Sequence, residues 1–146
     1  MSLIGVITKA KSEGYVINAL EKDFGRDNIV FISEKNIAHV KNIQFETIWI
    51  DKVIEQSQEL KELLKKTKYL VLNADLDIQL ETLRDLNVMM ITYGFNSKAT
   101  LTLSSVSENH IIICLQRIIQ GKNNKQYEPQ EMEIEVSKNT EISSVL

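Results

Sequence analysis

The chain has 146 residues, of which 43% are hydrophobic and 25% charged, so it fits one soluble domain with a sizeable core. Its formal charge of -3 at pH 7 supplies no electrostatic reason to bind nucleic acid or an anionic membrane surface. The single cysteine, Cys114, excludes an internal disulfide and is expected to be a buried, inert thiol.

The first half alternates apolar strands with amphipathic helices. "LIGVIT" (Leu3 to Thr8) is short, apolar and β-branched, which predicts a buried strand. A helix is expected from Ser12, where Val16, Leu20 and Phe24 recur every four residues and Gly25 follows as a left-handed cap. "NIVFIS" predicts the second strand, "NIAHVKNI" a short helix or loop, and "FETIWID" the third strand, with Trp49 in the core. "KVIEQSQELKELLKK" places Val53, Leu60 and Leu64 on one helical face. The lysines at 61, 65, 66 and 68 gather near its end, where they complement the helix dipole.

"KYLVLNAD" is the expected fourth strand, "LDIQLETLRDL" a helix and "VMMITYG" the fifth strand. Apolar strands separated by helices predict a mainly parallel sheet with helices on both faces. After Gly94 the pattern changes to a period of two. In "ATLTLSS", Leu101 and Leu103 oppose Thr100, Thr102 and Ser104; "HIIICLQRII" follows, then a polar turn at "GKNNK". In "QEMEIEV", Met132, Ile134 and Val136 oppose Glu131, Glu133 and Glu135. These segments predict a small three-stranded antiparallel sheet with one wet face. The tail "SKNTEISSVL" could begin a last helix. The expected organisation is a single α/β domain over 1–146, with the parallel sheet and helices in 1–95 and the antiparallel sheet in 96–137.

No apolar run approaches the roughly 20 residues needed to span a bilayer. The start, "MSLIGVITKAK", lacks the long apolar stretch and cleavage site of a signal peptide, so a cytoplasmic location and no membrane partner are expected.

In an open parallel sheet, ligands collect beyond the carboxyl ends of the strands. The positions of interest are therefore "TKAKSEG" after strand one, "NAD" after strand four and "YGFNSK" after strand five. A phosphate-binding loop needs glycines so that backbone N–H groups close on the phosphates, then a lysine and a hydroxyl residue for magnesium. The first loop has no glycine in its turn and no Gly-Lys-Ser/Thr, and Glu13 brings negative charge towards a phosphate. Lys9, Lys11 and Ser12 remain candidates for holding an anion at the helix start. Asn73 or Asp75 can cap the following helix, or Asp75 can face a ribose or amine. Tyr93 either packs at the sheet edge with Phe95 or lines a pocket. His39 and His110 lie in no metal-ligand pattern, and no serine or cysteine sits in a nucleophile elbow. No catalytic residue and no metal site is therefore expected.

"VLNADLDIQLETL" and "VMMITYGFNSKATLTLSSVS" together resemble the later part of the central ATP-binding domain of Mur ligases, which add amino acids to peptidoglycan precursors. Asn73, Ala74 and Asp75 match the family's turn, Tyr93, Gly94 and Phe95 its strand end, and Ala99 to Ser105 the first strand of its small sheet. The likeness covers Lys68 to Val136 and implies a Rossmann-like, Mur ligase central-domain fold. The departures are equally specific. The family's second turn aspartate is Leu76 here, its ATP-loop lysine falls on Ser12, and of its later His-Asn pair only Asn139 survives. The segment between strands three and four is too short for the magnesium-binding glutamate and histidine and the modified lysine. The N- and C-terminal ligase domains are also expected to be absent.

Ligation through an acyl phosphate needs ATP and metals that offset charge. The resemblance and its gaps therefore imply a non-catalytic Mur ligase-like module with an interaction or regulatory role and no bound ATP. Its partner would be another protein or a second copy of the chain, since the small sheet offers edge strands. The alternative is a small-molecule or nucleotide-binding protein, or a weak enzyme, with an altered site beyond strands one and four.

Overall fold

The computed structural model describes residues 3–53, 57–76, 88–95, 98–106, 110–120 and 125–135. The sequence signals translate into β1 (Ile4–Ile7), a 3-10 turn (Ala10–Ser12), α1 (Glu13–Phe24), β2 (Ile29–Phe31), α2 (Ile37–Val40) and β3 (Thr47–Ile50). These are followed by α3 (Gln58–Lys65), β4 (Tyr69–Asn73) and β5 (Met89–Tyr93). The chain then forms β6 (Leu101–Val106), β7 (His110–Leu115), β8 (Ile119–Gln120), β9 (Gln126–Tyr127) and β10 (Gln130–Glu135). The expected helix in "LDIQLETLRDL" and the expected terminal helix fall outside the described residues.

Among the described residues the molecule is α/β, with one mostly parallel mixed sheet ordered β10-β7-β6-β5-β4-β3-β1-β2 and a separate antiparallel pair, β8-β9. The chain divides into two compact units, Met1–Met90 and Ile91–Leu146. No helix among the described residues is long and apolar enough to cross a membrane.

In the first unit, β1 is the central strand. It pairs in parallel with β2 on one side and with β3 on the other, and β3 pairs in parallel with β4. All four of its residues are buried, as its continuous apolar sequence requires. Side-chain alternation divides the core into two clusters. Ile4 and Val6 pack with Val16, Leu20 and Phe24 of α1 and with Trp49, which is half-buried. Ile7 packs with Ile48, Ile50, Leu70 and Leu72 and with Leu60, Leu63 and Leu64 of α3.

Helix ends follow local chemistry. Gly25 ends α1 with φ 77 and ψ 140, and its N–H donates to the Glu21 carbonyl at 2.9 Å. Its φ is positive as expected of a glycine stop, but its ψ lies outside the left-handed helical well. The third helix starts later than the periodicity from Lys52 suggests. Ser57 caps it by accepting the Leu60 N–H at 3.2 Å, while Val53 lies exposed ahead of the cap. A serine that satisfies a free N–H of the first turn sets the boundary better than one more apolar residue does. Lys65 lies in the last turn of α3 and Lys66 at its C-cap, whereas Lys68 instead sits 5.4 Å from the centre of the Tyr69 ring.

In the second unit, β6 pairs antiparallel with β7, and β7 with β10. The expected small three-stranded sheet is corrected here: these strands belong to the large mixed sheet, because β6 also pairs in parallel with β5 through Tyr93 and Leu101. The turn between them explains the arrangement. Gly94 adopts φ 143 and donates its N–H to the Leu101 carbonyl at 3.1 Å. Thr92 and Thr100 exchange backbone and hydroxyl contacts, including Thr100 N–H to Thr92 Oγ1 at 2.9 Å. The expected wet face is corrected as well, since Thr100 and Thr102 are buried. Thr100 satisfies its hydroxyl locally through Thr92, so a polar letter in the alternation does not mark solvent. The β7 strand follows its pattern, with Ile111, Ile113 and Leu115 buried, but Cys114, expected to be buried, falls on the alternate face and is half-buried. The small extra sheet is the pair β8-β9, on either side of "GKNN".

Gly5 allows the sheet to close. A Cβ there would lie 2.6 Å from Ile32 Cδ1, 3.3 Å from Phe45 Cδ1 and 3.4 Å from Ile48 Cγ1. Since Ile32, Phe45 and Ile48 are all buried, they have little room to retreat. Gly5→Ala is expected to destabilise the protein by about 1 to 3 kcal/mol through overpacking. Urea denaturation should show a lower midpoint with an unchanged slope, and an equal or higher midpoint would contradict this packing.

Candidate functional site

The carboxyl end of β1 runs into Thr8 and Lys9 before the 3-10 turn. Lys9 has φ -65 and ψ 141, ordinary extended backbone that needs no glycine. The turn then uses its own donors: Ser12 N–H bonds to the Lys9 carbonyl at 2.9 Å, and Glu13 N–H to the Ala10 carbonyl. The Ser12 and Glu13 amides, at the helix start where a phosphate loop directs donors at a ligand, are thus engaged within the turn. Lys9 and Lys11 are exposed and Ser12 is half-buried, and these three candidates share one loop.

The end of β4 is held by a different device. Asn73 Oδ1 accepts the Asp75 N–H at 2.9 Å, closing a turn from the asparagine side chain to the backbone two residues on. Its Nδ2 donates to Asp51 Oδ1 at 2.9 Å, tying the end of β4 to the end of β3. The Leu76 N–H also returns to the Asn73 carbonyl at 3.3 Å. Asn73 and Asp75 are therefore brought together, with Asn73 bracing two adjacent strand ends and Asp75 exposed. Tyr93 lies in the second unit, where it is buried, while Phe95 two residues on is exposed.

A cavity of about 390 Å³ opens at the carboxyl ends of β1 and β2. Ile7, Phe31 and Ile32 form its apolar part, and Ala10 approaches from the 3-10 turn and Glu13 from the start of α1. The loop from Ser33 to Asn36 and Lys52, just beyond β3, complete it. The loop is held in shape by Asn36: its Oδ1 accepts the Ser33 N–H at 2.8 Å and its Nδ2 donates to the Phe31 carbonyl at 2.9 Å. The size lies within the range of small-molecule sites.

Thr8 lines this cavity, is 9% exposed, and has a buried Oγ1 with no hydrogen-bond partner. Buried hydroxyls in folded proteins are nearly always satisfied, because leaving one unpaired costs about 1 to 3 kcal/mol. An orphan hydroxyl beside a cavity is thus a cost the fold carries at a place where a ligand could remove it.

Neither Thr8 nor the Ser33–Asn36 loop was among the expected site residues. The rule that ligands gather beyond carboxyl ends applies to β2 and β3 as well as to β1, β4 and β5, and it would have pointed to "SEKN" and "DK". The orphan state of Thr8 has no sequence signal, because it depends on what surrounds the side chain. The histidines take no part: His39 is exposed on α2, and His110 pairs with Glu133 at 3.0 Å in the second unit. Among the described residues no group of His, Cys, Asp and Glu could hold a metal ion.

Two substitutions at these strand ends are expected to act in opposite directions. Thr8→Val keeps the shape and removes the unpaired oxygen, and should stabilise the free protein by about 1 to 3 kcal/mol. Asn73→Ala removes the bond to Asp51 and the turn to Asp75, and should destabilise it by about 1 to 2 kcal/mol. Chemical denaturation measures both; a destabilised Thr8→Val variant would mean that the hydroxyl is satisfied. Compared with models of known protein families and with curated proteins, the chain matches none.

Proposed function

We propose that the chain is a non-catalytic binding module that takes a small polar molecule into the cavity beyond β1 and β2, with a regulatory or interaction role rather than turnover. The observation that carries this reading is the buried, unpaired Thr8 hydroxyl on the cavity wall. The neighbour choice of β1 supports it. Pairing with both β2 and β3 is the arrangement of doubly wound sheets ordered 2-1-3-4-5, which bind ligands at their carboxyl ends, rather than of the 3-2-1-4-5-6 dinucleotide fold. The engaged amides of Ser12 and Glu13 argue against a phosphate-loop mode of ATP binding. This favours the cavity beyond β1 and β2 over an altered site beyond strands one and four built from the Lys9–Ser12 loop, Asp75 and Tyr93.

The resemblance to the Mur ligase central domain remains part of the proposal as an account of the scaffold. Its support lies in the Asn73–Asp75 turn and in the positive φ of Gly94, the two places where the matching motifs carry a structural role. An asparagine that closes a strand-end turn and a glycine that redirects the next strand would be useful with or without ligation chemistry.

A thermal-shift panel of neutral polar metabolites, amino acids, ATP and UDP-sugars tests the reading. At a ligand concentration about a hundredfold above Kd, stabilisation should reach about 2.7 kcal/mol, or roughly 5 to 10 °C for a chain of this size. Silence across the panel, or a shift that Thr8→Val leaves intact, would reject the cavity as the site. ATP hydrolysis that disappears on changing Lys9, Lys11 and Asp75 would reject the non-catalytic role.

A further inference from the structure

The chemistry of the lining narrows the class of ligand. Lys35 and Lys52 bring two positive charges to the cavity, and Glu13 and Glu34 bring two negative ones. A net anion attracted by the lysines meets the carboxylates, and a net cation meets the reverse. A net-neutral molecule is neither attracted nor repelled as a whole by this balanced set, yet each of these side chains can still form a charge-assisted hydrogen bond with its hydroxyls. Carboxylates accept from O–H groups, and ammonium groups donate to oxygen.

The remaining polar groups suit the same partner. The hydroxyls of Ser33 and Thr8 can each donate and accept, as can a ligand hydroxyl. Asn36 uses both ends of its amide on its own loop and so serves as a brace. The Phe31 ring is half-buried and offers an apolar surface beside these polar groups. Oγ1 of Thr8 is buried and without a partner in a residue that lines the cavity, so a ligand hydroxyl that reaches it would supply the missing hydrogen bond.

We infer that the cavity beyond β1 and β2 binds a net-neutral polyhydroxylated molecule of monosaccharide size, with the Thr8 hydroxyl reserved for one of its hydroxyl groups. The inference rests on the proposed role of this cavity as the ligand site and adds the ligand's chemical class. It also explains how an unsatisfied hydroxyl would be retained in an otherwise well-packed strand end: its missing partner arrives with the ligand.

Isothermal titration calorimetry on the full chain, with glucose, ribose, N-acetylglucosamine and myo-inositol, tests the class against leucine, inorganic phosphate, ATP and spermidine. At least one neutral polyol should bind saturably, with Kd changing less than twofold between low and high salt, because no net charge is neutralised. Thr8→Val should weaken that binding at least tenfold while raising the melting temperature of the free protein. Glu13→Gln, which keeps the shape and removes the charge, should weaken it as well. Preferred binding of a charged probe that is salt-dependent and lost in Thr8→Val would overturn the polyol class and leave the cavity as the site. Polyol binding unaffected by Thr8→Val, or no binding by any probe, would overturn the inference and the role of the cavity together.

Discussion

The first unit depends on the parallel pairing of β1 with strands on both of its sides. A strand hydrogen-bonded along both edges and covered on both faces leaves no room for polar side chains, and Ile4, Gly5, Val6 and Ile7 meet that demand. Gly5 adds a steric condition, since Ile32, Phe45 and Ile48 close over the place where its side chain would be. The helices are recruited by the two faces this strand presents, α1 to Ile4 and Val6 and α3 to Ile7. Without that central strand neither apolar cluster would have a common floor.

The same pairing creates the candidate site. Parallel strands send their carboxyl ends in one direction, so the segments after β1, β2 and β3 converge at one end of the sheet. There Thr8 ends a fully apolar strand and is the first polar side chain, still buried and unpaired. Around it the backbone is well satisfied: Ile32 N–H bonds to the Val6 carbonyl and Asp51 N–H to the Ile7 carbonyl, both at 2.8 Å. Against neighbours so completely paired, one orphan oxygen is a local exception. Local inconsistency in an otherwise consistent fold is where function tends to reside.

The second unit illustrates how threonine can satisfy itself inside a sheet. Thr92 and Thr100 bond to each other across the Gly94 turn, so Thr100 is buried without an orphan group. The turn thereby holds β6 alongside β5 in the same direction and the antiparallel strands extend from it. Thr8 and Thr100 are the same residue type at similar burial, yet one is paired and the other is not. Burial alone therefore does not identify a functional hydroxyl; the state of its partners does.

Much of the architecture was legible from residues alone. The strands β1 to β5, α1 and the period-two strands β6, β7 and β10 all lie where the apolar patterns place them, because those patterns report which faces must leave water. The helix that Asn73 or Asp75 was expected to cap lies outside the described residues, and what the structure shows at this strand end is the Asn73 side chain accepting the Asp75 N–H. Three features were decided only by tertiary structure. The strand β6 joined the large sheet because its neighbours in space, not its own alternation, chose its pairing edge. Thr100 is buried because its hydrogen bonds with Thr92 remove the cost of burying its hydroxyl, and Thr102 is buried on the same side of the strand. The cavity gathered Glu13 from the start of α1, Ser33 from the segment after β2 and Lys52 from the segment after β3. Periodicity is a property of one segment and survives in the sequence; the partner of a buried oxygen belongs to the packed whole and appears only there.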